Sequence, residues 1–123
     1  MAAQLRDAGI RVRCKILPGA TFWNNWSGYP WSATERGPRP LGVRMMQLAY
    51  KSDAAWTASG LNNAEFDALV DQGMGISDAD ARREIMAKIQ QIMQDEGVVI
   101  QPYWRSLYNH SNRKFAGTEM HPL

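Results

Sequence analysis

The chain has 123 residues, 45% of them hydrophobic and 21% charged, the size and make-up of one globular domain with a sizeable core. Fourteen basic and twelve acidic residues leave a net charge of +2, too balanced to argue for nucleic acid as a partner. A single cysteine excludes an internal disulfide, no apolar run approaches the roughly 20 residues of a membrane span, and the opening MAAQLRDAGI lacks the apolar stretch of a signal peptide.

In chain order, Ala2–Ala8 predicts a short helix stopped by Gly9, with Ile10 folding back over Leu5. Residues 10–16 then alternate. Ile10, Val12, Cys14 and Ile16 point one way and Arg11, Arg13 and Lys15 the other, the pattern of a half-buried strand with a solvated basic face. On that reading Cys14 is a buried filler rather than a reactive thiol. Pro18 and Gly19 turn the chain, Ala20–Trp26 fits up to two turns of helix, and Ser27-Gly28 ends it. Tyr29–Thr34 is irregular, and Gly37-Pro38-Arg39-Pro40 reads as a rigid loop, because each proline pushes the residue before it out of the helical region. Leu41–Tyr50 fits either helix or strand, and helix the better.

Lys51–Gly60 reads as a loop around Trp56. Asn62 or Asn63 caps a helix over Ala64–Gln72, whose Phe66, Leu69, Val70 and Gly73 share one face, with Gly73 and Gly75 stopping it. Ser77 with Asp80 opens the longest helix, Asp78–Asp95, with a buried stripe of Ala81, Ile85, Ile89, Ile92 and Met93 and with Met86 beside it. Gly97 closes it. Val98–Tyr103 has the uninterrupted apolar start of a central strand that leaves the sheet near Pro102, and Arg113–Gly117 leads into a last strand or tail. The order strand, helices, strand predicts an α/β fold, a mixed sheet flanked by helices.

The chemistry-bearing residues concentrate in the first third. Trp23, Trp26 and Trp31 lie within nine residues, joined by Phe22 and Tyr29 and followed by Arg36, Arg39 and Arg44. Rings beside glycine, proline and arginine are the make-up of a ligand recess, and equally of a small core in which loops are pinned by rings. Arg39, held between two prolines, suits a clamp for a carboxylate or pairs with an internal acid. Trp31 and Trp104 fit pocket walls or simple packing. Catalysis has little support. His110 and His121 have no metal-ligand spacing, and Asp78 and Asp80 are explained by the helix start. The expectation is a non-enzymatic protein with no cofactor and no metal.

Several segments, taken in order, resemble the peptide-binding and solute-binding proteins of bacterial ABC importers, the dipeptide/oligopeptide-binding family. They are Ala3-Gln4-Leu5 with Gly9–Val12, Ala20–Trp23, Arg39–Gly42, Leu48–Ser52 with Trp56, Asn63–Leu69, Asp80–Arg83, Gln94–Pro102 and Arg113–Gly117. The resemblance implies that residues 1–123 are the partial C-terminal, rear lobe of a type II periplasmic-binding fold, with the front lobe absent. It implies binding of a peptide or small charged solute for uptake by an ABC permease in the periplasm or cell envelope. Trp31, Arg39, Trp56 and Trp104 match positions on or near the cleft loops. Glu35 stands where dipeptide-selective members carry an Asp-rich segment for a ligand's ammonium group. A lobe without its neighbours would expose surface and hide it by forming a homodimer or swapping elements. The alternative is a protein-interaction or self-associating module with no small-molecule ligand.

Overall fold

The structure, a computed structural model, describes residues 2–37, 39–57, 59–103, 106, 108 and 110–119. In chain order its helices are α1 (Ala2–Asp7), α2 (Gly19–Trp23), a 3-10 turn (Trp26–Gly28), α3 (Gly42–Ala49), α4 (Ala64–Gly75) and α5 (Ala79–Asp95). Among the described residues there is no β-strand. The expected mixed α/β sheet is therefore corrected to a helical fold, and with it the assignment to a type II periplasmic-binding lobe. The physical reason lies in what a strand is. Its backbone N–H and C=O groups need a partner ladder, and residues 11–17 make no backbone hydrogen bond to any described residue. Residues 99–103 likewise make no backbone–backbone hydrogen bond to a described residue, and the Val98 N–H closes the end of α5 by donating to Met93 O at 3.2 Å.

The chain divides into two units, Met1–Ser32 and Ala33–Leu123. In the first, α1 ends on Gly9 with φ +82°. The Gly9 N–H donates to Arg6 O at 2.9 Å and the Ile10 N–H to Leu5 O at 2.8 Å, the paired bonds of a Schellman stop. A left-handed residue is needed there, and glycine adopts it without the Cβ penalty. Further along, Phe22 meets Trp23 edge-on at 5.1 Å between ring centroids and stacks with Tyr29 at 5.8 Å, while Trp23 lies 6.2 Å from Trp26. The rings thus hold the α2 segment together without any fully buried side chain. Cys14, expected to be buried, is exposed.

The second unit holds the core. α4 packs against both α3 and α5, and Val43, Phe66, Val70, Ile85 and Ile89 form one cluster, with Met46, Tyr50, Leu69 and Ile92 packed around it. Burying each of these large side chains is worth roughly 1.5–3 kcal/mol. Capping fixes where the helices begin. Asn63 Oδ1 accepts the Phe66 N–H at 3.0 Å, and Asp78 Oδ1 accepts the Ala81 N–H at 2.8 Å. Glu65, Asp67 and Asp80 lie in the first turns, where acids meet the positive end of the helix dipole. α5 stops as α1 does, on a glycine (Gly97, φ +61°) whose N–H donates to Gln94 O.

Gly73 does not stop α4 as its residue type suggested. It is buried inside the helix, and a Cβ there would lie 3.0 Å from Val43 Cγ2 and 3.5 Å from Ile85 Cγ2. The missing side chain is what lets α3 and α5 approach α4 closely. Ala81, expected in the buried stripe of α5, is exposed, so the buried face of that helix begins one turn later, at Ile85.

Candidate functional site

In the second unit a cluster forms around Trp56, on the loop between α3 and α4. Lys51 Nζ donates to both carboxylate oxygens of Asp71 on α4, at 2.6 and 2.7 Å, and the Ser52 N–H donates to Asp67 Oδ1 at 3.0 Å. Asp53 takes a left-handed φ of 60° at the tip, and the Trp56 N–H reaches back to Leu48 O at 3.3 Å. The loop is therefore tied to both neighbouring helices, and the indole is held in place while remaining 41% exposed.

Two arginines converge on Trp56. Arg36 Nη2 donates to the Trp56 carbonyl at 3.1 Å, and the Arg39 guanidinium carbon lies 5.7 Å from the centre of the indole. Such a cation–π contact is worth about 0.5–1 kcal/mol where solvent reaches it. Arg39 Nη1 also lies 3.4 Å from Gly37 O. Both arginines are half-buried. The arrangement ties Arg36 and Arg39 to the α3–α4 loop, and the Arg39 guanidinium, the candidate clamp for a ligand carboxylate, lies over a tryptophan.

Of the residues singled out in the sequence, the structure brings Arg39 and Trp56 together. Glu35 is exposed on the same segment, and Trp31 belongs to the other unit, where it is 70% exposed. Trp104 lies outside the described residues. Nothing in the sequence around Arg36 marks it for this role. It donates to a backbone carbonyl 20 residues away, and no local spacing signals a contact of that kind.

Tyr50, at the end of α3, is half-buried against the core. Burial pushes its phenol above the ordinary value of 10.0, and the positive charge of Arg36 partly opposes that. A group whose pKa is raised on folding contributes stability that is present in full below the unfolded value and is lost as pH climbs through the folded one. The Tyr50→Phe protein should therefore lose less stability than the wild type between pH 9 and pH 11, a window set by the ordinary phenol value of about 10. Urea unfolding at each pH measures this. Parallel curves would show that the phenol is as well hydrated in the folded chain as in the unfolded one.

Among the described residues no group of three His, Cys, Asp or Glu side chains is gathered to hold a metal ion, and no helix is long and apolar enough to cross a membrane. No family model, curated protein or solved structure matches the chain. The resemblance to ABC-importer solute-binding proteins is thus corrected. That fold needs a mixed sheet, and the described residues form helices without one. Peptide or solute binding for transport, in a cleft framed by such a sheet, loses its structural basis for the same reason.

Proposed function

We propose that the chain is a non-catalytic protein-interaction module that acts by self-association. One observation carries this reading, the amount of surface left open. The accessible surface is 10153 Å² for a mass of 13.9 kDa, whereas a compact monomer of that mass exposes about 6,700 Å². Treating the two units as separately compact bodies raises the expectation only to about 7,800 Å². The excess is of the order buried in obligate protein–protein interfaces, about 2,000–5,000 Å². Large apolar side chains are part of it: Ile16 is 94% exposed, Tyr108 79%, Trp31 70% and Phe115 68%. Apolar surface on this scale is what association removes from water. The near-balanced charge favours a protein partner over nucleic acid.

Sedimentation velocity of the full chain from low micromolar concentration upward tests the reading. The expected result is a concentration-dependent shift to at least twice the monomer mass. A 13.9 kDa monomer at every concentration would overturn it.

A further inference from the structure

The two stretches with strand-like sequence and no ladder, residues 10–16 and 98–103, are the features that the fold does not use. Resting on the self-association reading, we propose that residues 10–16 of one copy pair antiparallel with residues 98–103 of a second copy, in a reciprocal exchange. Both stretches offer the backbone and side chains that pairing consumes. Residues 11–17 and 99–103 make no backbone–backbone hydrogen bonds to described residues. Ile10 is 54% exposed, Ile16 94%, Val99 45% and Ile100 62%.

Charge selects the partner. If residues 10–16 paired with their own copy, every register that keeps the apolar side together would set Arg11, Arg13 and Lys15 against one another, and like charges directly opposed destabilise a sheet. The sequence Val98-Val99-Ile100-Gln101-Pro102-Tyr103 carries no charge. Strand addition to an unpaired edge is an established mode of association between proteins, and here the chain supplies both halves.

Side-chain alternation and Pro102 fix the register. Matching the apolar sides over all six residues puts Cys14 opposite Ile100, with Ile16 opposite Val98 and Val12 opposite Pro102. Arg13 then faces Gln101, Lys15 faces Val99, and Arg11 faces the Tyr103 ring, a cation–π pairing. Antiparallel ladders alternate hydrogen-bonded and non-hydrogen-bonded pairs. With Pro102 in a non-hydrogen-bonded pair, its missing N–H costs nothing, and the Cys14–Ile100 pair also becomes non-hydrogen-bonded, the type with the closer side chains. The Tyr103 carbonyl already accepts Gln101 Nε2 at 2.8 Å and keeps a second lone pair for the ladder.

Disulfide trapping between two distinguishable full-length chains tests the register. The wild-type chain, with Cys14 its only thiol, is mixed with a C14S/I100C chain under mild oxidation. A C14S/Q101C chain, altered on the opposite side, serves as the control. The expected result is a mixed-chain disulfide that forms at least tenfold faster with I100C than with Q101C. Equal rates would overturn the proposal. So would a C14S-free I100C chain that closes only within itself. Because residues 11–17 make no backbone hydrogen bond to a described residue, R13P removes a ladder N–H without breaking a bond seen in the folded chain, and it should weaken association at least tenfold where R13A does not. Association of the wild type with no I100C preference and no R13P effect would sink the strand exchange while leaving self-association intact. A monomer at all concentrations would remove both.

Discussion

The Ile89→Asp protein is expected to lose the cooperative unfolding transition of residues 33–123. Ile89 is fully buried at the centre of the α3–α4–α5 cluster. Its removal forfeits the transfer energy of the side chain and the contacts it makes, and the carboxylate that replaces it enters a site whose neighbours are Val43, Phe66, Val70 and Ile85. An unpaired charge there is either desolvated or drives its own protonation, and both routes cost free energy. The combined penalty is at least about 4 kcal/mol. A domain of this size has about 5–15 kcal/mol to lose, and among the described residues the buried cluster has five members, Val43, Phe66, Val70, Ile85 and Ile89, so a loss of this size removes a large share of its stability. Far-ultraviolet circular dichroism during urea titration should show a sloping baseline in place of a sigmoid. Arg83→Ala supplies the comparison. Arg83 pairs with Asp80 on the exposed side of α5, with both side chains at least three-quarters exposed, and a surface ion pair of this type is worth about 0–1 kcal/mol. A sigmoid retained by Ile89→Asp with a midpoint near that of Arg83→Ala would mean that α5 does not present this face to the core.

The contrast between Ile89 and the absent sheet shows which features were legible in the sequence. Phe66, Val70, Ile85 and Ile89 recur at helical spacing, and helix periodicity is a property of one segment, so the faces of α4 and α5 could be read directly. The same holds for helix ends, where the cap and the capped N–H lie within a few residues of each other. Asn63 and the two glycine stops at Gly9 and Gly97 fall where their chemistry places them. A strand differs because its hydrogen bonds run to another segment. The alternation of residues 10–16 states which side chains share a side, and nothing in it names what lies against them. Alternation alone predicts a buried Cys14, yet it is exposed, because a covering layer is not something that local alternation encodes. The aromatic and arginine cluster follows the same rule. Local sequence places Arg39 in a rigid loop and Trp56 in another, yet their meeting and the Arg36 bond to the Trp56 carbonyl join stretches on opposite sides of α3.

Gly73 is the residue whose role most depends on a non-local contact, and its substitution should reverse an ordinary rule. Alanine for glycine inside a helix normally stabilises by about 1 kcal/mol. In α4 the added methyl group would stand 3.0 Å from Val43 Cγ2 and 3.5 Å from Ile85 Cγ2. Val43 is 1% exposed and β-branched, and a valine in a helix has one strongly preferred rotamer, so it cannot swing aside. The backbone of α3 must move instead. Overpacking of this type costs about 1–3 kcal/mol, which outweighs the gain in helix propensity, and Gly73→Ala should lower the denaturation midpoint with the slope of the transition unchanged. In a Val43→Ala background the obstruction is gone, and Gly73→Ala should then raise the midpoint relative to Val43→Ala alone. That change of sign is a coupling energy specific to the α3–α4 contact. A midpoint that rises in both backgrounds would show that α3 and α4 do not meet at this glycine.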